Sequence, residues 1–359
     1  MTTIMTLIMA GGSGTRFWPR SREKKPKQFL KIFGNETLIQ STINRFLPLT
    51  SKENIFIISK EVQKEEIEKQ NLTIPSGNIL FEPTGKNTLP CIGLASLIMS
   101  RQNADGIIIV TPSDQLIDNH PLFRETIKTA IEIAEKENGF VTIGITPSKP
   151  ATGFGYVEIE SQLKTRNDIA AYKVRQFVEK PNQETALKYV TAKTFFWNSG
   201  MFIFKSSVLW DAIKRFSPDI FAALIEIESH IGKLSFNSEL NRIYNSIDGI
   251  SIDYGIMEKA DNVYLVKGDF VWNDLGSWEQ VYELSEKDAS NNATYGEVLL
   301  EDTENSYVYS SQGIIAVMGM KDILAVQDGN ATLICKRERG EDIKKLVERL
   351  RSPDLNKYI

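Results

Sequence analysis

Short apolar runs alternate along the chain with longer segments whose apolar residues recur at helical spacing. Residues 4–10, 54–59, 78–82, 106–110 and Phe140–Ile145 read as strands, with helical patterns over Leu38–Phe46, 62–70, 89–101 and 121–137. Continuous apolar strands separated by helices predict a parallel sheet covered on both faces. That is an α/β layered domain, Rossmann-like and mostly parallel. After Pro150 the pattern changes. Residues 156–160, Ala171–Val178, 202–204 and 262–271 read as strands, and 207–216 and 220–228 as helices. This stretch reads as the second half of the same domain, with insertions over the sheet edge. From about residue 290, short strand-like pieces at 298–300, 307–309, 314–317, 324–327 and 332–335 are separated by turn residues such as Asp328-Gly329-Asn330. A helical pattern at 342–350 closes the chain. The expected organisation is therefore a catalytic-sized domain over 1–288 and a small β-rich C-terminal domain over 289–359.

Composition narrows the class. At 359 residues and 42% hydrophobic, the chain can build a core without disulfides or structural metal. A formal net charge of -4 supplies no global basic field, so nucleic acid is not an expected partner. Cys91 and Cys335 lie far apart in apolar surroundings and lack zinc-ligand spacing, so both read as reduced, buried thiols. His120 sits in Asp-Asn-His-Pro, which reads as a turn, and His230 sits on a helical run. Neither has a catalytic context. The apolar N-terminus lacks a basic leader and runs straight into glycines, so it reads as a strand and not a signal peptide. No run approaches the length of a membrane span. The expected address is the cytoplasm, with no membrane partner.

The chemistry begins after the first strand, at Ala10-Gly11-Gly12-Ser13-Gly14-Thr15-Arg16. Glycines there permit positive φ and let backbone N–H groups approach phosphate oxygens. The spacing fails the P-loop pattern. It also fails the dinucleotide fingerprint, whose third glycine position holds Phe17, and this weakens an oxidoreductase reading. Six basic residues follow between Arg16 and Lys27. A glycine loop followed by so cationic a segment suits triphosphate binding, Arg as a planar fork and Lys as a point charge. Five of the six could equally be solvated surface.

Gly-Gly-Ser-Gly-Thr-Arg-Phe-Trp-Pro-Arg-Ser-Arg from Gly11, followed by Pro-Lys-Gln-Phe from Pro26, closely resembles the signature of mannose-1-phosphate guanylyltransferases, within the wider nucleotide-diphospho-sugar transferases. The resemblance continues in order to residue 278. It implies that Ala10, Gly11, Gly12, Gly14, Thr15 and Arg16 bind nucleotide, with Ser113. Glu82 and Asn87, in and after Phe81-Glu82-Pro83, match a segment that helps hold the base. Gly155 lies in the matching sugar-side loop. Glu179 and Lys180, in Glu-Lys-Pro, would meet the sugar hydroxyls and the sugar phosphate. Asn198, in Trp-Asn-Ser-Gly-Met-Phe, can donate to and accept from vicinal hydroxyls. Without the family, that last segment reads as an aromatic-rich turn before a strand.

Asp114, beyond the apolar strand in Thr-Pro-Ser-Asp, stands where ligands bind in open α/β sheets and could hold Mg2+. Gln115 takes the place of the family's usual histidine. Asp274, in Trp-Asn-Asp-Leu-Gly-Ser-Trp, would be the second metal carboxylate, which requires two distant segments to converge. The Asp253–Lys259 segment reads as mainly architectural. Arg16 is assigned to the leaving phosphates and Lys27 to charge at the transferring centre. The implied substrates are GTP and mannose-1-phosphate, with Mg2+ as cofactor. Rival readings are another sugar-1-phosphate or triphosphate, or a sensor that binds without turnover. Self-association as a homodimer through the β appendage is left open. Larger relatives add a sugar-phosphate isomerase domain, for which this chain is too short.

Overall fold

Strands β1 (Ile4–Met9), β2 (Ile55–Lys60), β3 (Ile79–Glu82) and β4 (Ile107–Pro112) form one wing of a 9-stranded sheet. The computed structural model describes residues 2–12, 14–101 and 105–359, so Ser13 of the glycine loop lies outside the described residues. A short β5 (Leu116–Asp118) follows β4, and β6 (Phe140–Ile145), β7 (Tyr156–Leu163), β8 (Ala171–Val178), β9 (Phe195–Lys205) and β10 (Val263–Gly268) complete the sheet. Its order is β3-β2-β1-β4-β9-β6-β10-β8-β7, with a further pairing of β7 to β9. Only β8 and β9 run against the other strands.

The reason for this sheet is visible strand by strand. Successive side chains of a strand point to opposite faces. Met5 and Leu7 of β1, Phe56 and Ile58 of β2, and Ile108 and Val110 of β4 enter one core. Ile8, Ile55, Ile57, Ile107 and Ile109 enter the other. Both faces must therefore be covered. Helices α1 (Leu38–Phe46) and α4 (His120–Glu137) cover the second core, while a short α2 (Lys64–Lys69) leads towards β3. The first core is covered by α3 (Thr88–Ser100), backed by α6 (Ser206–Phe216), α7 (Pro218–His230) and α8 (Phe236–Ser246). α3 is apolar on all sides because it is buried between sheet and helices. Helix α5 (Gln183–Ala192) joins β8 to β9.

Several expectations are corrected here. His120 is the first residue of α4, not a turn residue, because Asn119 adopts φ 60° and caps the helix. The single strand expected over 262–271 divides into β10 and β11 (Val271–Asn273), and β11 pairs with β5. The segment around Trp197 lies inside β9, which carries its bend at Gly200 (φ 75°) and changes partner there. Its first half pairs with β7, its second half with β4. Cys91 is buried, but Cys335 is only half-buried. No helix among the described residues is long and apolar enough to cross a membrane.

After α9 (Trp278–Leu284), strands β12 (Ala293–Glu301), β13 (Tyr307–Met318), β14 (Ile323–Asp328) and β15 (Ala331–Lys336) form a separate 4-stranded sheet, and α10 (Ile343–Leu350) follows. β12, β13 and β14 are mutually parallel although consecutive, as in a coiling β-helix. The pieces expected at 307–309 and 314–317 are one strand, β13. This unit docks on the first through a core of its own. Phe17, Trp18, Leu30 and Leu38 meet Trp278, Tyr307, Leu324 and Val347 there. Trp278 is fully buried, 5.0 Å from the Phe17 ring centroid, and its Nε1 donates to the Trp18 carbonyl. Arg20 lies 4.1 Å over the Tyr309 ring, and Arg22 donates to the Tyr358 carbonyl. Two of the six basic residues of the cationic segment thus hold the C-terminal unit. We expect Trp278→Ala to lower unfolding stability by about 3–5 kcal/mol, the usual range for emptying a large aromatic site. A fall in the urea midpoint with unchanged slope would show it.

Candidate active site

Strands β1 and β4 end side by side, and the chain leaves each of them at the same rim of the sheet. The glycine loop leaves β1. A polar cradle holds it from below: Gln28 Nε2 donates to the carbonyls of Ala10 (2.5 Å) and Gly12 (3.3 Å). Gln63 Nε2 also reaches the Gly12 carbonyl, and Ser59 Oγ the Ala10 carbonyl. Across a trans peptide the N–H opposes the C=O, so an inward Ala10 carbonyl turns the Gly11 N–H away from the cradle. Gly14 has φ 56°, and a Cβ there would lie 2.7 Å from the Lys27 backbone nitrogen. Only glycine lets these two segments touch.

A cavity of about 530 Å3 opens above this rim. Gly14, Thr15, Arg16, Lys27, Asp114 and Asp274 line one part, and Gly155, Glu179, Asn198 and Asp253 another. Lys27 is buried. Its ammonium lies 2.8 Å from Asp114 Oδ2 and donates to the carbonyls of Asp274 (2.7 Å) and Leu275 (3.0 Å). The two residues foreseen as a pair therefore converge on one cavity, Lys27 meeting the carboxylate of Asp114 and the main chain of Asp274. Gln280 Nε2 orients the Asp274 carboxylate at 2.9 Å. Burial pushes the Asp274 carboxyl up, helped by the charge of Asp114, while Gln280 and Lys27 act in the opposite sense.

Among the described residues no three His, Cys, Asp or Glu side chains cluster as a metal cage. Two hard carboxylates, Asp114 and Asp274, in one cavity suit Mg2+. That ion is usually held by one or two carboxylates, completing its shell with water and substrate phosphates. The Lys27 ammonium meets the Asp114 carboxylate and the Asp274 main chain. Asp114 and Asp274 are the residues able to hold such an ion.

At the other part of the cavity, Asn198 Oδ1 accepts from Thr142 Oγ1 at 2.8 Å, and its Nδ2 donates to Asp253 Oδ1 at 3.1 Å. Phe154 sets its ring edge-on to Trp197 and Trp272, forming an apolar wall. Gln115 is buried, donating to the Ser199 carbonyl and accepting from Trp272 Nε1. The residue standing in place of a histidine thus braces β9 and β11. Asp253, in the segment read from sequence as mainly architectural, lines the cavity on a π-helical turn. Burial, then the charge of Glu179, raises its carboxyl to about 6.

Not every foreseen residue reaches the cavity wall. Ala10 and Ser113 are buried behind it; the Ser113 N–H donates to the Met9 carbonyl and ties β4 to β1. Glu82 is buried beside Gly11, with one oxygen taken by the Tyr244 hydroxyl at 2.7 Å. Burial raises its carboxyl, against the Tyr244 bond and the nearby Lys60. Asn87 is exposed and accepts from the Thr88 N–H, capping α3. Lys180 pairs with Glu179 at 2.5 Å, its side chain largely in solvent. Sequence reasoning missed Gln63, Thr142, Tyr244 and Gln280. These polar side chains gain meaning only from partners far away in the chain. Gln28 lay inside a quoted motif and could have been found there.

A family model described as nucleotidyl transferase matches residues 5–291, and one described as MannoseP isomerase/GMP-like beta-helix domain matches 296–350. The mannose-1-phosphate guanylyltransferase of Klebsiella pneumoniae is 36% identical over 359 residues, covering 99% of this chain and 75% of that protein. The xanthan biosynthesis protein XanB of Xanthomonas campestris is 35% identical, covering 98% of this chain and 74% of that protein. A crystal structure from Thermus thermophilus, named mannose-1-phosphate geranyltransferase, is 30% identical with a TM-score of 0.87, over 98% of this chain and all of that one. A mannose-6-phosphate isomerase structure from Helicobacter pylori is 28% identical with a TM-score of 0.60, over 76% of this chain and all of that one.

Asp253 yields a pH prediction. Its folded value, about 6, lies above the ordinary 3.8, so the native state binds the extra proton. Stability linked to this group is then lost as pH rises from about 4 through 6. Asp253→Asn is expected to raise Tm at pH 8 and to leave it near wild type at pH 4. Equal Tm values at both pH values would refute the burial argument.

Proposed function

The chain belongs to the nucleotidyl transferase family, and from that premise we propose that it transfers the guanylyl group of GTP to α-D-mannose 1-phosphate, forming GDP-mannose and pyrophosphate. The observation that carries the substrate choice is near-full-length identity of 36% to proteins named mannose-1-phosphate guanylyltransferase. The cavity agrees with it chemically. Cationic and carboxylate groups gather beside the glycine loop, and hydroxyl-binding groups gather around Asn198.

In this reaction a phosphate oxygen of the sugar phosphate forms a bond to the α-phosphorus. The bond to the bridging oxygen breaks, and its electron pair leaves with pyrophosphate. The attacking phosphate is already a nucleophile, so no serine or cysteine need be activated. What remains for the protein is positioning and charge neutralisation. Gly11, Gly12, Gly14 and Thr15 carry the nucleotide phosphates on backbone N–H groups, and Arg16 neutralises the leaving β- and γ-phosphates. Ala10 and Ser113 support that loop from behind. Glu82, fixed by Tyr244 and flanked by Asn87, serves the base side. Lys27 sits at the transferring phosphate. Glu179, Lys180, Asn198 and Gly155 hold the sugar phosphate. Asp114 and Asp274 would hold a Mg2+, which would supply further neutralisation of phosphate charge. The proposed compartment is the cytoplasm, and the proposed assembly a homodimer.

The test is pyrophosphate release from mannose- and glucose-1-phosphate against GTP, ATP, UTP and dTTP, with Mg2+ and with chelator. The largest metal-dependent release is expected for mannose-1-phosphate with GTP. A different best pair would keep the reaction and overturn the substrates. No release from folded protein that still binds a sugar nucleotide would favour a sensor. Lys27→Ala is expected to cut kcat by two or more decades, taking about 3–4 kcal/mol for a lost transition-state charge contact. Circular dichroism on the same sample separates this from loss of fold, and near-wild-type turnover would remove Lys27 from the mechanism.

A further inference from the structure

The C-terminal unit brings one of its own side chains to the cavity. Lys344, in the first turn of α10, stands in the cavity wall together with Gly14, Thr15, Arg16, Asp114 and Asp274. The helix is held there by its apolar stripe. Ile343, Val347 and Leu350 follow helical spacing into the core shared with Phe17 and Trp18. α10 packs against the Thr15–Phe17 turn, and Val347 and Arg351 lie beside Thr15 in a small adjoining pocket. Lys344 is therefore at the glycine-loop end of the cavity.

Three features distinguish Lys344 from an ordinary surface lysine. Its neighbours Arg339 and Lys345 both pair with Asp342, whereas Lys344 makes no ion pair among the described residues. A cation in the first turn also stands against the helix dipole, so local helix stability does not account for it. Charge decides the rest. Asp114 and Asp274 against Arg16 and Lys27 leave this end of the cavity neutral, with Lys27 already committed to Asp114. A triphosphate or pyrophosphate carries more negative charge than a Mg2+ on those carboxylates would offset, and Lys344 supplies a further cation.

We propose that Lys344 is a phosphate-binding residue that the C-terminal unit contributes to the active site, contacting the β- and γ-phosphates of the bound triphosphate and the pyrophosphate that leaves. The nucleotide end of the site is then incomplete without the second unit. This rests on the reaction proposed above. It goes further in making the β-rich unit part of the catalytic machinery.

The experiment compares wild type, Lys344→Ala, Lys344→Arg and Lys345→Ala as full chains. Losing one charge-assisted phosphate contact is expected to raise KM for GTP about tenfold or more in Lys344→Ala. KM for pyrophosphate in the reverse direction should rise similarly, and KM for mannose-1-phosphate should stay within about twofold. Lys344→Arg should restore most of the loss, and Lys345→Ala should behave as wild type. A purely structural role would move both substrates together and would not be rescued by arginine. Unchanged KM for GTP in Lys344→Ala overturns the proposal. If wild type turns over no pair, the reaction itself has failed, and calorimetric titration with inorganic pyrophosphate decides instead. Weaker binding to Lys344→Ala sustains the phosphate role; equal binding, or none to either protein, rejects it.

Discussion

The site depends on one buried ammonium. Lys27 is almost wholly removed from water, and a lone charge so placed would be strongly unfavourable. It is tolerated because Asp114 supplies the opposite charge and two main-chain carbonyls accept its remaining protons. Lys27 and those partners come from three separate parts of the sequence. Asp114 follows β4, the carbonyls follow β11, and Lys27 follows the glycine loop. A buried pair of this kind contributes little net stability against an apolar replacement, but breaking it is expensive. Its effect is to fix register: the sheet rim, the Asp114 and Asp274 segments and the glycine loop are tied together at one point.

The same lysine explains why the loop is built of glycine. Gly14 packs against the Lys27 backbone so closely that no side chain fits. The segment between them has two jobs. Arg16 faces the cavity, while Phe17, Trp18, Arg20 and Arg22 turn outward to grip the C-terminal unit. The glycine loop's continuation and the domain junction are thus one piece of chain. Anything that loosens the docking of the β-rich unit is transmitted directly to the residues that line the cavity beside the glycine loop.

Much of this was legible from the sequence because the signals were local. Apolar strands, helical spacing and the glycine loop each declare themselves within a dozen residues, so Leu38–Phe46 and Phe140–Ile145 were located to the residue. Motifs read together with the family resemblance also pointed to Arg16, Lys27, Asp114 and Asp274, which line one cavity. What stayed hidden was long-range. Gln280 matters because it holds Asp274, Tyr244 because it holds Glu82, and Thr142 because it holds Asn198. A single glutamine, tyrosine or threonine carries no local mark of such a task. Helix α5 was missed for a related reason: it buries only Ala186 and so shows little apolar stripe, whereas α8 was missed although Leu240, Ile243 and Tyr244 recur at helical spacing. The bend at Gly200 hid the length of β9, since a turn-like residue sits inside a strand that changes partners.

The charge layout gives the cavity a direction. Beside the glycine loop stand Arg16, Lys27 and Lys344 against two carboxylates; beside Asn198 stand Glu179 and Asp253, with Lys180 already paired to Glu179. One end favours a polyanion. The other disfavours it and offers acceptors to hydroxyls, with Asn198 held rigid between Thr142 and Asp253. A triphosphate entering backwards would set its negative charge against buried carboxylates and leave cations unused, a difference amplified where water is excluded. Orientation of the two substrates therefore follows from electrostatics before any shape is considered. Because one of the three cations arrives from α10, that orientation is a property of both units together.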